Sequence, residues 1–253
     1  MKYNYIKCGD CLVLMDELPN QSIDMILCDL PYGVTNNKRD IIIPFEPLWE
    51  QYERLIKDNG AIVLFGQGKF FIELVNSNRK LFRYVLVWDK RLTTGFLNAK
   101  RMPLRRHEMI AVFYKKLPKY RPQFSEGNPL HSKGVNYINK EPVNNNYGRF
   151  FNNSDERKGE TQKYPTSILQ FDKSHPASAR HATEKPVKLL EYLIKTYTDE
   201  GDIIYDGCSG SGSTCIAAIR TGRKFIGHEK DRGIYDNCKM EIEKMNLNVA
   251  FLN

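Results

Sequence analysis

The sequence predicts an α/β protein with a doubly wound, mostly parallel sheet and an inserted region. Short apolar segments alternate with segments of helical periodicity at both ends of the chain. Between those ends, residues 116–180 are rich in Asn, Lys, Pro and Tyr and contain few aliphatic runs. This pattern predicts two halves of one domain, 1–115 and 181–253, separated by the insertion 116–180.

The elements of the first half follow one another as alternating strands and helices. Segments 22–28, 60–65, 84–88 and 108–114 are short apolar runs typical of buried strands. Segments 47–57 and 69–76 have the periodicity of amphipathic helices.

The second half returns to the same alternation. A helix is expected over 186–197, because Pro186 suits the first turn and Leu190, Leu193 and Ile194 share one face. A strand at 202–205, a glycine- and serine-rich turn, a helix at 214–221 and a strand at 224–227 complete the pattern.

Composition and the N-terminal residues limit the location of the protein. No apolar run approaches the ~20 residues that a membrane span requires, and residues 1–5 lack the apolar core of a signal peptide. We therefore expect a cytoplasmic protein with no membrane partner. Cys8 and Cys11 have C-x-x-C spacing, but no second pair and no close histidine pair follow, so no metal is predicted.

The net charge of +8 points to a polyanionic partner. The charge is concentrated in a segment without acidic residues, which contains Lys90, Arg91, Lys100, Arg101, Arg105 and Arg106. Basic runs are often no more than solvated surface. Clustering in this segment predicts contacts with nucleic-acid phosphates.

A carboxylate and an aromatic ring follow the first predicted strand. Residues 28–33 read Cys-Asp-Leu-Pro-Tyr-Gly, so Asp29 can accept hydrogen bonds from an exocyclic amine while Tyr32 stacks on a flat ring. Nucleobase amine alkylation needs that combination, but the composition is also that of an ordinary turn.

A glycine-rich turn follows the strand at 202–205. Gly210 and Gly212 would let a ligand approach the backbone, and the next helix supplies free N–H donors. Glu229 ends the following strand and can accept hydrogen bonds from ribose hydroxyls. A dinucleotide fingerprint would need a third glycine where Cys215 stands, so a nucleoside without pyrophosphate fits better.

Together these motifs resemble the S-adenosylmethionine-dependent DNA amino-methyltransferases that modify adenine N6 or cytosine N4. The order of the motifs is similar to the permuted β group of that family, with a Rossmann-like fold in which the catalytic motif comes first and the cofactor loop last. The resemblance covers nearly all of the chain except about 116–178. It places Asp29, Leu30, Pro31 and Tyr32 on the catalytic motif Asp-Pro-Pro-Tyr, with Leu30 replacing the first proline.

The resemblance also implies a set of cofactor-binding residues. Segment 206–214 matches the glycine loop, with Gly207 and Cys208 replacing a proline and a phenylalanine, and 181–186 matches a motif at the methionine end of the cofactor. The implied residues are Asp10, Cys11, His181, Thr183, Lys185, Pro186, Asp206, Cys208, Gly210, Gly212, Ser213, Thr214 and Glu229.

The implied activity is transfer of a methyl group from S-adenosylmethionine to adenine N6 in DNA, as in restriction–modification. Asp29 at the first catalytic position favours adenine, while cytosine N4 and an RNA substrate stay open. Two other classes of protein stay open, a dinucleotide-dependent oxidoreductase and a non-catalytic nucleic-acid binder. The expected partner is DNA; a homodimer stays open, and a cognate restriction endonuclease would be a separate protein because no endonuclease motif is evident.

Overall fold

The computed structural model describes residues 1–35, 40–131, 157–173 and 184–252. The chain forms two compact units, one of Met1–Arg121 with Thr166–Asn253 and one of Pro122–Pro165. The predicted bounds of the insertion, 116–180, stay a prediction. Two predicted cofactor residues, His181 and Thr183, lie outside the described residues.

The described elements are eleven strands, six α-helices and one 3₁₀ turn. The strands are β1 Tyr5–Cys8, β2 Ile23–Cys28, β3 Ile56–Gly66, β4 Phe82–Thr94, β5 Arg105–Phe113, β6 Ser125–Glu126, β7 Gln162–Lys163, β8 Ile168–Gln170, β9 Ile203–Asp206, β10 Lys224–Glu229 and β11 Ala250–Leu252. The helices are α1 Cys11–Met15, α2 Phe45–Leu55, α3 Gly68–Ser77, α4 Val187–Tyr197, α5 Ser213–Arg220 and α6 Arg232–Lys244, and the 3₁₀ turn is Phe96–Asn98.

Nine strands of the larger unit form one sheet in the order β11-β1-β10-β9-β2-β3-β5-β4-β8. Neighbours from β11 to β3 are parallel, and β8 is parallel to β4. In this described sheet only β5 runs in the opposite direction, pairing antiparallel with β3 and β4. The predicted mostly parallel α/β sheet is confirmed.

The helices cover both faces of the sheet. Helix α2 turns Leu48, Tyr52 and Leu55 into a core that α1 and α3 share. Helix α4 turns Leu190 and Leu193 into a second core, shared with α5 and α6 on the opposite face. Each helix buries the apolar stripe that its spacing produces, so the fold is doubly wound.

Several short or polar elements were not predicted. Strand β1 has four residues and helix α1 five, too few for a periodic signal. Helix α6 buries only Tyr235, Cys238 and Ile242 among charged residues, and its start is capped by Asp231, whose side chain accepts from the Ile234 N–H. Helix α4 begins at Val187, with Pro186 as its N-cap rather than in its first turn.

The smaller unit contains the two-stranded sheet of β6 and β7, which pair antiparallel. The Arg157 guanidinium lies 4.6 Å from the ring centre of Tyr164 and 5.6 Å from that of Phe124. These cation–π contacts add to the pairing of β6 with β7. Among the described residues of the chain, no helix has the length and apolar character needed to cross a membrane.

Candidate active site

Four carboxylates come to one edge of the sheet. Asp10 follows β1, Asp29 follows β2, and Asp206 and Glu229 are the last residues of β9 and β10. These four strands run parallel, with Cys8 opposite Glu229 and Gly227 opposite Asp206. Because parallel strands end at a common edge, the predicted catalytic and cofactor motifs meet although about 180 residues separate them in sequence.

Two donors orient the carboxylate of Asp29. The Tyr32 hydroxyl donates to Oδ1 at 2.7 Å, and the Lys185 ammonium donates to Oδ2 at 2.5 Å. The Lys185 side chain is 8% exposed, and that of Asp29 is 28% exposed. Each carboxylate oxygen has a second lone pair, so Asp29 retains acceptor capacity for an incoming amine.

The Lys185–Asp29 pair is one end of a chain of alternating charges. Lys185 Nζ lies 3.3 Å from Glu108 Oε2, and Glu108 Oε1 accepts from Lys90 Nζ at 3.2 Å. Lys185 and Glu108 thus form a buried ion pair. Two positive and two negative side chains thus compensate one another in a largely buried place.

The protonation states in this chain follow from burial and charge. Burial opposes the charge on Lys185, but the negative charges of Asp29 and Glu108 outweigh it and raise the pKa of the ammonium. Burial likewise opposes ionisation of Glu108, but the charges of Lys185 and Lys90 prevail and lower the pKa of its carboxyl. Both groups are therefore charged at neutral pH.

Aromatic rings form a wall beside the catalytic carboxylate. The ring of Tyr32 stacks on that of Phe70, with centres 4.9 Å apart and planes at 23°. The Lys185 ammonium lies 5.0 Å from the ring centre of Phe65. Burial and the charge of Asp29 raise the pKa of the Tyr32 phenol, so this hydroxyl stays protonated and acts as a donor.

Local backbone contacts build the glycine-rich turn after β9. The Cys208 N–H donates to Asp206 Oδ1 at 3.0 Å, and the Gly210 N–H donates to Glu229 Oε2 at 2.9 Å. Glu229 also accepts from the Asp231 N–H at 2.8 Å. Glu229 therefore joins the turn to the start of α6.

Asp206 is the buried acid of this turn. Burial raises the pKa of its carboxyl to about 6, although hydrogen bonds from Thr214, the Cys208 amide and the Cys28 thiol act in the opposite direction. The charge of Asp29 adds to the increase, so the predicted catalytic carboxylate and the predicted cofactor carboxylate share one electrostatic environment.

The two glycines of the turn have different surroundings. Gly210 has a φ of 53°, and a Cβ there would meet nothing closer than the Cys208 carbonyl at 3.8 Å. Gly212 has a φ of 77°, and a Cβ there would lie 2.7 Å from both Cys238 and Ile242 of α6. The positive φ accounts for glycine at 210, whereas packing of α5 against α6 also requires glycine at 212.

Thiols lie beneath this turn. Cys208 forms side-chain hydrogen bonds with Cys11 and Cys28, and burial raises the pKa of the Cys28 thiol to about 11. All six cysteines are free thiols. Among the described residues, no group of three or more His, Cys, Asp or Glu side chains is arranged to hold a metal ion.

Asp10 caps the first helix beside the same edge. Its side chain accepts from the Leu12 N–H at 2.9 Å and from Lys230 at 2.9 Å. The hydrogen bond from Lys230 lowers the pKa of the Asp10 carboxyl despite partial burial. An ionised acceptor at this position suits an amine donor such as that of adenine.

These surroundings fit a nucleoside cofactor with a positive centre. The open side of Gly210 admits a ligand, Glu229 and Asp10 supply acceptors, and the buried Asp206 carboxyl favours a cation. Ser213 and Thr214 are buried in the first turn of α5. The assignment of the individual cofactor residues stays a prediction.

Two predicted site residues make contacts that the sequence did not indicate. Lys185, implied for the methionine end of the cofactor, contacts the catalytic Asp29, and Lys90, implied for DNA, is 4% exposed and pairs with Glu108. Glu108 itself was not proposed as a site residue. The sequence feature that could have indicated Glu108 is an acidic residue at the start of the apolar segment 108–114, where an unpaired buried charge is costly.

The other basic residues lie on the outer part of the β4–β5 hairpin. Arg91 donates to Gln170, Arg105 to Gln67, and Arg106 binds both carboxylate oxygens of Asp89 at 2.7 and 2.9 Å. Lys100 and Arg101 are exposed and have no side-chain partner among the described residues. Their role in binding DNA stays a prediction.

Comparison with known proteins identifies the family. The profile of the family described as DNA methylase, which covers N6 and N4 enzymes, matches residues 23–240. The chain belongs to this family. Membership confirms the predicted DNA amino-methyltransferase and, with it, S-adenosylmethionine as the cofactor of the methylase.

Two curated relatives cover most of the methylase. The type II methyltransferase M1.MboII of Moraxella bovis is 25% identical over 264 residues, which span 98% of this chain and 100% of the relative. The DNA adenine methyltransferase YhdJ of Escherichia coli K12 is 27% identical over 246 residues, which span 87% of this chain and 76% of the relative.

Solved structures share the fold. The M1.HpyAVI–SAM complex superposes with a TM-score of 0.62 at 20% identity and covers 96% of this chain and 99% of its own. The cytosine-N4-specific PvuII DNA methyltransferase superposes with a TM-score of 0.64 at 15% identity. The match covers 100% of this chain and 95% of the PvuII enzyme. Both adenine and cytosine enzymes are thus similar to the methylase.

Proposed function

We propose that the methylase transfers a methyl group from S-adenosylmethionine to the N6 amine of adenine in DNA. The observation that carries this proposal is the carboxylate of Asp29, oriented by Tyr32 and Lys185 beside the glycine-rich turn that ends in Thr214. An oriented acceptor for an amine and a nucleoside site therefore share one edge of the sheet.

The chemistry of the site depends on the weak nucleophilicity of an exocyclic amine, whose lone pair is delocalised into the ring. S-adenosylmethionine supplies an electrophilic methyl group when bound. The carboxylate of Asp29 and the carbonyl of Leu30 would accept the two amine hydrogens and so direct the nitrogen lone pair towards the methyl donor. The methylated nitrogen is cationic and strongly acidic, and it would then release its proton. Pro31 stiffens this turn, and Tyr32 stacks on the base. Positioning and electrostatics suffice, and no covalent enzyme intermediate is needed.

The choice of adenine rests on Asp29, since serine is more usual at this position in cytosine enzymes of the resembled family. YhdJ, named as a DNA adenine methyltransferase, is 27% identical to the methylase. Cytosine N4 is the second candidate, favoured by the similarity to the PvuII enzyme. Both bases present an exocyclic amine with two hydrogens, so the same acceptor pair serves either one.

The proposal includes duplex DNA as partner. The target amine is paired and stacked inside a duplex, so the base must leave the stack to reach Asp29. Arg91, Lys100, Arg101, Arg105 and Arg106 provide the cations for phosphate contacts that offset this cost. DNA cleavage would belong to a separate restriction endonuclease, and a homodimer is compatible with the proposed reaction.

The substitution Asp29→Ala tests this function. We expect loss of labelled-methyl incorporation into DNA, because the principal amine acceptor is removed, with nearly unchanged affinity for S-adenosylhomocysteine. The control Asp58→Ala removes an exposed carboxylate that pairs with Lys116 and leaves transfer unchanged. Unchanged turnover in Asp29→Ala would refute the assignment.

Methylation-sensitive sequencing of DNA from cells that express the methylase identifies the base and its sequence context. Methylated adenine supports the proposal, and methylated cytosine replaces it with the second candidate. Stabilisation against heating by S-adenosylhomocysteine but not by NAD separates the methylase from a dinucleotide-dependent oxidoreductase. Absence of methyl transfer to any DNA by the unaltered chain would favour a non-catalytic binder or an RNA substrate.

A further inference from the structure

The β4–β5 hairpin leads away from the catalytic carboxylate. Trp88 pairs with Glu108 and Asp89 with His107, so the inner end of the hairpin carries the Lys90–Glu108 pair of the buried charge chain. Beyond that pair the two strands continue to Thr94 and Arg105. The hairpin tip, defined here as residues 95–104, is therefore attached directly to a wall of the active site.

The tip exposes large apolar side chains in adjacent positions. Gly95, with a φ of 88°, starts the 3₁₀ turn Phe96–Asn98. Phe96 is 78% exposed and Leu97 is 83% exposed, among the highest values of the described apolar residues. Met102 and Leu104 are also exposed. An exposed apolar group of this kind on a soluble protein marks a surface that a partner covers.

Positive charge lies in the same segment as these apolar side chains. Residues 90–106 contain six Lys or Arg and no Asp or Glu, and of these six Lys90 pairs with Glu108 and Arg106 with Asp89. Lys100 and Arg101 lie in the tip itself, and within the described part of the chain their side chains make no ion pair or hydrogen bond. The tip thus combines apolar bulk with uncompensated cations, which matches a polyanion that has an apolar interior.

A second copy of the chain fits this surface poorly. A symmetric dimer centred on this surface would bring the two tips close together, because an isologous interface uses the same patch on both subunits. The cations of the two tips would then repel one another. Duplex DNA offers the opposite charge in its phosphates and stacked bases between which apolar side chains can insert.

We infer that Phe96 and Leu97 form a wedge that enters the DNA base stack beside the target base. The inference rests on the proposed function and deepens it. Removal of the target base from the duplex leaves a gap and costs stacking and pairing. The two apolar side chains fill that gap while Lys100 and Arg101 contact the flanking phosphates, so the extrahelical base is stabilised near Asp29.

The test compares two duplexes that carry the sequence identified by methylation sequencing. In one duplex the target base is normally paired, and in the other it lies opposite an abasic site, where pairing is already lost. The double substitution Phe96→Ala with Leu97→Ala should lower kcat/KM about 10- to 100-fold on the paired duplex. On the duplex with the abasic site we expect a loss of at most about threefold, because the cost of unpairing is absent.

Two control variants separate the wedge from other contributions. Lys100→Ala with Arg101→Ala should weaken binding equally on both duplexes and reduce the slope of log affinity against log salt by about 2. Met240→Ala removes a half-exposed apolar side chain of α6 and should leave transfer on both duplexes unchanged. Because Phe96 and Leu97 are exposed, their truncation should leave the thermal midpoint within about 2 °C of the parent.

Any other pattern of results would contradict the inference that Phe96 and Leu97 form a wedge. Equal losses on the two duplexes would reduce Phe96 and Leu97 to general DNA contacts, and unchanged kcat/KM on both would remove them from the interface. Self-association that disappears in the double variant, with unchanged transfer, would assign the tip to a second copy of the chain. Failure of the proposed function is distinguishable, since the unaltered methylase would then transfer no methyl group to either duplex.

Discussion

Asp29 in the catalytic region is held by Lys185, 156 positions away in the sequence, whereas Glu229 in the cofactor region accepts amides 19 and two positions away. The catalytic carboxylate thus depends on a side-chain cation from the other half of the chain. Glu229, predicted to bind the cofactor, accepts from backbone donors, which a side-chain substitution does not remove. Single charge changes should therefore alter stability and activity more in the catalytic region than in the cofactor region.

The largest expected effect follows the removal of the shared cation. Lys185→Met keeps the length of the side chain but leaves Asp29 and Glu108 without the ammonium between them. We expect the free energy of unfolding at pH 7 to fall by about 3 kcal/mol, because breaking a buried ion pair leaves uncompensated charge. Urea denaturation measures this loss, and methyl transfer should fall with it.

The pH dependence of that loss has a definite sign. The pKa of Glu108 is lowered in the folded protein, so its charge contributes stability above the ordinary value of 4.5, and this contribution is lost as the pH falls through the lowered pKa. The difference between the parent and Lys185→Met should therefore shrink at pH 4. Lys188→Met, an exposed position of α4, is the control and should change stability by less than about 0.5 kcal/mol. An equal loss at both pH values would contradict the charge-chain explanation.

A smaller difference in stability is expected between substitutions of the two glycines in the glycine-rich turn. Gly212→Ala forces a Cβ to 2.7 Å from Cys238 and Ile242 at a positive φ, so we expect a loss of about 3 kcal/mol in stability. Gly210→Ala meets open space and should cost about 1 kcal/mol, from its backbone conformation alone.

Binding and stability should respond in opposite order at these two positions. Thermal unfolding gives the stability loss, and calorimetric titration with S-adenosylhomocysteine gives the affinity. Gly210→Ala should weaken affinity more than Gly212→Ala, since its open side faces the proposed ligand. If Gly212→Ala were the weaker binder and the more stable protein, the division between packing and ligand approach would be wrong.

The same contrast explains how much of the molecule the sequence could predict. The acids at the ends of β2, β9 and β10 were predictable, because a strand followed by a turn places its last residues at a known edge of the sheet. The partners of Asp29 were not, since Lys185 and Glu108 occupy distant segments and no local pattern links them. The separate packing role of Gly212 was also hidden, because it depends on Cys238 and Ile242 of a helix whose charged sequence gave no clear apolar stripe.

A further expected effect concerns the pH dependence of cofactor binding. Burial raises the pKa of Asp206 to about 6, so this carboxyl takes up protons just below neutral pH. A ligand with a positive sulfonium favours the ionised carboxylate, and binding at pH 5 must therefore release a proton. We expect affinity for S-adenosylmethionine about tenfold weaker at pH 5 than at pH 7, which corresponds to one unit of pKa.

Two comparisons isolate the contribution of Asp206. S-adenosylhomocysteine lacks the positive charge, so its affinity should change less over the same pH range. Asp206→Asn cannot ionise and should flatten the profile of the cationic ligand, while Asp29 and Glu108 remain in place. A profile that keeps its full slope in Asp206→Asn would assign the titration to another group.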